Sequence, residues 1–211
     1  ALADKKEYTH QVPCCYKCGT VIEPILLPQW YVKTKPLAEK AIQAVKSGAI
    51  KIHPERFEKS YLEWMDNIID WNISRQIVWG IRIPAYQCDI CSKWLVSKNS
   101  TPVKCDCGST KFTQDTDTFD TWFSSGQWPF ATLGLDSKDF EKFYPTSVID
   151  TGYDILYFWV SRMVMLGLYR TGQVPFKNII LHGLVRDSKG QKMSKSKGNV
   201  VNPLELIQKY G

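Results

Sequence analysis

The chain has 211 residues, 44% of them hydrophobic, which is enough to fold around one or two cores. Its formal net charge of +6 hints at an anionic partner without specifying one. No apolar run reaches the roughly 18 residues of a membrane-spanning helix, so we expect no membrane association of that kind.

The first part of the chain predicts two helices after an irregular start. Residues 1–32 lack regular periodicity and are expected to be extended. A helix then has Pro36 near its start and Gly48 as its stop. The stretch ERFEKSYLEWMDNIIDW, residues 55–71, predicts a second helix. Its apolar residues at helical spacing are Phe57, Tyr61, Met65 and Ile68 or Ile69.

The last third predicts a strand, a helix and a second strand. TSVID (146–150) indicates a strand, DILYFWVSRMVMLGLYRTG (154–172) an apolar helix, and NIILHG (178–183) another strand. This order over about forty residues is typical of a parallel crossover unit and hence of an α/β fold. A final helix is expected after Asn202 as N-cap, with Pro203 at its first position.

Four of the seven cysteines have the spacing of a metal site. Cys88-x2-Cys91 is followed, after thirteen residues, by Cys105-x-Cys107, all within a small insert at residues 84–112. Two close pairs of thiolates suit a tetrahedral Zn²⁺, whose bonds can hold together an insert with little core of its own. The alternative, four free buried thiols, accounts less well for the paired spacing.

Cys15 and Cys18 form an incomplete pair with the same spacing. His10 or Cys14 completes a metal site in one interpretation, the partner pair lies outside this chain in the one we favour, and ordinary reduced cysteines are the third. The N-terminal ALADKKEYTH has no apolar segment of a signal peptide. Paired cysteines in a chain without secretion signals predict metal sites rather than disulfides, and a cytoplasmic location.

The segment LVRDSKGQKMSKSKGNVVNP, residues 184–203, concentrates positive charge just after a predicted parallel strand. Four lysines and one arginine lie between Arg186 and Lys197, with a single acidic residue. Ligands of open α/β sheets bind at the carboxyl ends of the strands. Lys192 and Lys195, on long flexible stems, therefore suit a phosphate clamp. An isolated lysine pair would more often be a solvated turn.

KMSKS at Lys192–Ser196 resembles a signature of the class I aminoacyl-tRNA synthetases. The stretches DTWFSSGQWPFATLG, TGYDILYFWVSRMVMLGLYRTGQVPF and WNISRQIVWGIRIPAYQC are similar to the valyl branch of this family more than to its isoleucyl and leucyl branches. The resemblance covers nearly all of the chain. It implies the second half of a Rossmann-like nucleotide-binding domain, with a parallel sheet and a zinc-binding insert.

The resemblance also implies how the chain is divided. Residues 1–83 would be a connecting region and part of the catalytic α/β domain. Residues 84–112 would be the zinc insert. Residues 113–211 would be the second half of the nucleotide-binding fold with the KMSKS loop.

Members of this family activate an amino acid with ATP and Mg²⁺, release pyrophosphate and transfer the acyl group to tRNA. For the valyl branch these partners are L-valine and tRNA(Val). By resemblance, Lys192 and Lys195 are the catalytic lysines that neutralise the phosphates. The full ATP-binding set implied by the resemblance is Lys192, Ser194, Lys195, Ser196, Gly152, Asp154 and His182.

The roles within this set differ. Ser194 and Ser196 would support the loop, and Gly152 would let a ligand approach the backbone closely. The Asp154 carboxylate would accept from ribose hydroxyls or from the α-ammonium of valine. His182 would lie under the adenine.

The resemblance places the valine side chain against Trp122, Ile155 and Trp159, beside Asp154. Ile155 and Trp159 are four residues apart, so we expect them on one helix face. Two indoles and a β-branched side chain make an apolar slot for a small branched side chain. Plain core packing is the alternative for all three.

The sequence also departs from the family pattern. Its three histidines, His10, His53 and His182, lie in no HIGH-type motif, and neither an editing insertion nor an anticodon-binding domain is recognisable. We therefore expect a fragment that is inactive by itself and works with the remaining domains of a full-length synthetase. The alternatives are a stand-alone, non-catalytic nucleotide- or tRNA-end-binding module and a fragment of an isoleucyl-type synthetase.

Overall fold

The computed structural model describes residues 4–15, 18–98, 101–195 and 198–211. The α-helices are α1 (Lys35–Lys46), α2 (Arg56–Asp66), α3 (Thr121–Ser125), α4 (Trp128–Ala131), α5 (Lys138–Phe143), α6 (Ser161–Thr171) and α7 (Pro203–Tyr210). The strands are β1 (Tyr31–Val32), β2 (Lys51–His53), β3 (Trp71–Asn72), β4 (Ser74–Arg75), β5 (Ala85–Cys88), β6 (Trp94–Val96), β7 (Phe112–Gln114), β8 (Thr118–Phe119), β9 (Thr146–Gly152) and β10 (Phe176–His182). Within these ranges, no helix is long and apolar enough to cross a membrane.

A three-stranded parallel sheet in the order β2-β10-β9 organises the larger part of the chain. In the central strand, Ile179 lies opposite Ile52 of β2 and Ile149 of β9, and all three side chains are buried. The crossover from β9 to β10 confirms the predicted strand–helix–strand unit. Strand β2 was not predicted, because three residues are too few to show a strand periodicity.

Helices α1, α2 and α6 cover this sheet and form one apolar core with it. Ala38 and Ala41 of α1 are fully buried, and their small side chains let α1 lie close against α6. Tyr61 and Met65 of α2 fill the same core, as their helical spacing predicts. This packing covers the sheet that positions the ends of β9 and β10.

The second helix ends earlier than predicted. Helix α2 stops at Asp66, where the side-chain Nδ2 of Asn67 donates to the Glu63 carbonyl oxygen at 2.8 Å. Ile68 and Ile69 therefore lie beyond the helix, contrary to the prediction, although Ile68 still packs against the core. Trp71 instead enters β3 and pairs with β1, which is a long-range contact that local periodicity does not reveal.

The predicted helix over residues 154–172 is three different helices in succession. Tyr153–Ile155 form a 3-10 turn, Leu156–Val160 form a π-helix, and α6 follows to Thr171. Its predicted end is confirmed: Gly172 caps α6 with a φ of +73°, which glycine adopts at no steric cost. π-Helical turns are rare and are often found at functional sites.

The Cys-rich insert has a sheet of its own. Strands β6-β5-β7 are antiparallel and carry cysteines at and beyond their ends. Two further pairs, β1-β3 and β4-β8, connect this insert to the α/β part. The predicted C-terminal helix is confirmed as α7, with Asn202 accepting a hydrogen bond from the Leu204 amide at 3.0 Å.

Candidate functional site

The carboxyl ends of β9 and β10 place three of the predicted ATP-site residues together. Gly152 and His182 are the last residues of these strands and are partners in the parallel register. Asp154 follows in the 3-10 turn. A Cβ at Gly152 would lie 2.8 Å from Asp154 Oδ1 and 3.0 Å from the Leu184 side chain, so a larger residue here would displace these two side chains.

The basic segment, residues 184–203, reaches this edge of the sheet through Lys192. Lys192 Nζ lies 2.5 Å from Asp154 Oδ2 in an ion pair, and Lys192 also forms an isolated antiparallel bridge with Arg186. The Lys192 side chain is 57% exposed and that of Asp154 is 29% exposed. The structure thus pairs Lys192, predicted to bind phosphate, with Asp154, predicted to bind a ribose hydroxyl or an ammonium group. The two residues are 38 positions apart in the sequence.

The structure gives local contacts for some of the other members of the predicted ATP set. Lys195 is exposed, and the Ser194 amide donates to Asn199 Oδ1 at 2.9 Å. His182 Nδ1 lies 2.7 Å from the Gly183 carbonyl oxygen and donates to it. Ser196, which the resemblance includes in the set, lies outside the described residues, as does the neighbouring Lys197.

The residues predicted to bind the valine side chain lie on two packed segments. Helix α3 carries Trp122 and contacts the π-helix that carries Trp159. The Trp159 indole donates to the Ser125 carbonyl oxygen at 3.3 Å. Ile155 ends the 3-10 turn, so the α-helical face expected for Ile155 and Trp159 is not formed. All three side chains are partly buried.

A buried carboxylate that the sequence reasoning missed supports this region. Asp120 Oδ1 accepts from the Trp122 amide at 3.0 Å and so caps α3. Its Oδ2 accepts from Trp71 Nε1 and from Arg75 Nη2, each at 2.9 Å. Asp before the apolar TWF is a recognisable cap signal, whereas its partners, 49 and 45 residues away, are not visible in the sequence.

A second arginine packs against the same carboxylate. Arg162 Nη1 lies 3.8 Å from Asp120 Oδ2, and the guanidinium carbon lies 3.9 Å from the centre of the Trp71 ring. Burial lowers the pKa of Arg162 below its ordinary value, and the charge of Asp120 opposes that effect. Asp120 therefore links β3, β4, α3 and α6 next to Trp71 and Trp122.

The four cysteines of the insert converge on one point. Their Sγ atoms all lie within 4.8 Å of one another, and they are the one such donor group found among the described residues. Cys88 and Cys107 Sγ are 3.6 Å apart, and Cys91 and Cys105 Sγ are 3.5 Å apart. A tetrahedral Zn²⁺ with Zn–S bonds of about 2.3 Å needs sulfur atoms about 3.8 Å apart. The donor set fits a zinc ion.

The backbone turn around Cys88 favours the thiolate form of this cysteine. The Cys88 amide donates to the Lys93 carbonyl oxygen and the Ser92 amide to the Cys88 carbonyl oxygen, both at 2.9 Å. Ser92 adopts a φ of +58° to close this tight turn. The Cys91 amide hydrogen bond lowers the pKa of Cys88 to about 6, which favours the metal-binding thiolate. Lys93 forms an ion pair with Asp106, tying this turn to the one at Cys105.

Cys15 and Cys18 lie on a turn with the same hydrogen bonds. The Cys15 amide donates to the Thr20 carbonyl oxygen and the Gly19 amide to the Cys15 carbonyl oxygen, both at 2.8 Å, and Gly19 has a φ of +72°. Neither His10 nor Cys14 joins them in a group of three donors within the part of the chain that the structure describes. The pair thus has the form of half a metal site.

Comparison with known proteins identifies the family. Residues 3–211 match the family model described as tRNA synthetases class I (I, L, M and V). The chain belongs to this family. This confirms the family predicted from KMSKS and the neighbouring stretches.

Several similar relatives are valine–tRNA ligases. The chain is 57% identical to that of Symbiobacterium thermophilum and 55% identical to that of Syntrophotalea carbinolica, and each match covers all of the chain. The matches cover 23% and 24% of the two relatives, so the chain spans about a quarter of their length.

Solved structures show the class I synthetase fold, with its Rossmann-like parallel sheet. Methionyl-tRNA synthetase of Mycobacterium tuberculosis bound by methionyl-adenylate matches 95% of this chain and 34% of its own, with a TM-score of 0.64 and 19% identity. A ternary LeuRS–tRNA–LeuAMS complex of Agrobacterium radiobacter K84 matches 68% of this chain and 23% of its own, with a TM-score of 0.55 and 26% identity.

Proposed function

We propose that this chain is the part of a valine–tRNA ligase that supplies the KMSKS loop and the valine pocket. The full enzyme would activate L-valine with ATP and Mg²⁺ to valyl-adenylate and transfer valine to tRNA(Val). One observation carries the proposal: Lys192 of the signature lies on Asp154 at the ends of β9 and β10, in a chain similar along its whole length to valine–tRNA ligases.

In this proposal the Lys192–Asp154 pair opens when ATP binds. Lys192 moves to the phosphates, where Lys195 joins it, and both stabilise the charge that grows as pyrophosphate departs. Asp154 is then free to accept a ribose hydroxyl or the valine ammonium. Gly152 leaves room for the nucleotide, and His182, its partner in register, supports the adenine. Ser194 and Ser196 complete the loop.

The valine side chain would lie against Trp122, Ile155 and Trp159. The Trp159 indole is already fixed by its bond to the Ser125 carbonyl oxygen, and Asp120 fixes the start of the helix that carries Trp122. A pocket whose walls are held before the ligand arrives loses little entropy on binding. This supports a rigid slot for a small branched side chain.

We propose a structural role for zinc, bound by Cys88, Cys91, Cys105 and Cys107. The ion would hold the turns of the insert together. Cys15 and Cys18 would form half of a second site, completed by two donors from elsewhere in the full enzyme. The division into residues 1–83, 84–112 and 113–211 is part of the same proposal.

The proposed reaction is tested by ATP–pyrophosphate exchange. We expect the full-length synthetase that contains this chain to exchange pyrophosphate in the presence of valine, and far less with isoleucine. The isolated 211-residue chain should show little exchange, because activation needs groups on both sides of the nucleotide to be aligned. Preference for isoleucine would favour the isoleucyl alternative. Nucleotide binding without exchange in the full-length protein would favour a binding module.

The proposed pocket predicts a substrate-specific defect. Replacing Trp159 with alanine should raise the KM for valine roughly 10- to 100-fold, which corresponds to the loss of a large apolar contact. The KM for ATP should stay within about twofold of the original. Trp79→Ala is the matched control, since that indole is 92% exposed. If both variants had the same KM for valine as the parent, Trp159 would be ordinary core.

A further inference from the structure

We propose that Asn199, which lies beyond the KMSKS letters, is a positioning residue that fixes the backbone between the two signature lysines. This inference rests on the proposed function. Asn199 Oδ1 accepts from the Ser194 amide at 2.9 Å. Its Nδ2 donates to Asp187 Oδ2 at 2.8 Å and lies 3.4 Å from the Lys192 carbonyl oxygen. One side chain thus contacts both residues that flank Met193.

Asp187 connects this amide to the other side of the loop. Its Oδ1 accepts from the backbone amides of Lys189 and Gln191, at 2.9 and 2.8 Å. Backbone hydrogen bonds within the turn, from Gly190 to Asp187 and between Asp187 and Gln191, close it further. The Asp187 carboxylate therefore shapes the turn that precedes Lys192 with one oxygen and holds Asn199 with the other.

The chemistry of these contacts favours an amide at position 199. The Asn199 side chain faces a hydrogen-bond donor, the backbone N–H of Ser194, and an acceptor, the Asp187 carboxylate. An asparagine supplies one of each in a fixed geometry. A carboxylate there would satisfy Ser194 but would face the Asp187 carboxylate across a hydrogen-bond distance, which is strongly unfavourable.

The clamp formed by Asp187 and Asn199 matters for the reaction because lysine placement decides how well growing charge is met. Lys192 already lies at the ends of β9 and β10, and Lys195 follows the clamped Ser194 directly. Displacing a catalytic group by about 1 Å is enough to cost as much as 10²-fold in rate. Asn199 would thus act through the lysines without touching substrate.

The inference is tested in the full-length synthetase by exchanging the amide and the carboxylate between positions 199 and 187. Asn199→Asp and Asp187→Asn should each lower the single-turnover rate of valyl-adenylate formation roughly 10- to 100-fold, with the Kd for valine unchanged. The double variant should recover to within about threefold of the parent. The amide introduced at position 187 then donates to the carboxylate introduced at position 199, which still accepts from Ser194. Asn202→Ala, which removes an amide that caps α7, is the control and should keep the full rate.

The possible outcomes separate this inference from the proposed function. A parent-like rate in Asn199→Asp, together with a large loss in Lys195→Ala, would overturn the clamp and leave the function intact. Failure of the double variant to recover would overturn the pairing. A fall in valine affinity and melting temperature in proportion to the rate would mean general destabilisation, and would also contradict a positioning role. A parent without valine-dependent adenylate formation would contradict the proposed function itself.

Discussion

Replacing Lys195 with alanine in the full-length synthetase should slow valyl-adenylate formation by roughly 10²–10³-fold, about 2.7–4 kcal/mol of transition-state stabilisation. Valine affinity should change little, because the proposed pocket lies away from the phosphates. An interaction made mainly in the transition state appears in the rate and not in ground-state binding. Lys195 is exposed in the structure, so its removal should not disturb the fold.

The other lysines of the basic segment provide the comparison series. Lys192→Ala should act in the same direction as Lys195→Ala, and it also removes the partner of Asp154. Lys197→Ala, at a position outside the described residues, should matter less, and Lys189→Ala least. Single-turnover adenylate formation and valine affinity are measured for all four variants. Equal small losses at every lysine would mean that the segment is a solvated basic surface.

The second large effect is expected at the cysteine cluster. The purified 211-residue chain should carry close to one tightly bound zinc, and Cys88→Ser with Cys91→Ser should abolish it. Structural zinc sites contribute roughly 10–16 kcal/mol of apparent binding free energy at neutral pH, so the insert should lose its fold along with the ion. Zinc content by elemental analysis and protease sensitivity of residues 84–112 measure both consequences.

The incomplete cysteine pair is the matched control for this experiment. Cys15→Ser with Cys18→Ser changes the same type of turn but leaves the four converging sulfur atoms in place. We expect its zinc content to equal that of the unmodified chain. Unchanged zinc in the Cys88, Cys91 variant, with loss in the Cys15, Cys18 variant, would move the site to residues 10–18.

The features predicted from the sequence are those that short stretches encode by themselves. Gly172 ends α6 through its left-handed backbone, which is a property of that residue alone. The turn at Cys88-x2-Cys91 is likewise closed by hydrogen bonds between near neighbours in the sequence. The crossover between β9 and β10 followed from the order of apolar runs. Each of these needs only neighbouring residues.

The features missed depend on partners far away in the sequence. Asp120 can be buried because Trp71 and Arg75 donate hydrogen bonds to it. Beyond the end of α2, Trp71 pairs with Val32 of β1. The π-helix before α6 likewise breaks the regular spacing on which the expected face of Ile155 and Trp159 depended. Periodicity contains no information about such long-range pairings.

The ion pair between Lys192 and Asp154 gives the proposed ATP-binding lysine a counter-ion within the chain itself. Because the Asp154 carboxylate neutralises the Lys192 ammonium, this edge of the sheet attracts anions less than two unpaired lysines would. A partly exposed pair of this kind is worth about 1 kcal/mol or less. It therefore biases the loop by no more than roughly fivefold. In the proposed function, ATP would therefore recruit Lys192 at small cost and Asp154 would become available to the ligand, so the two exchanges would be thermodynamically coupled.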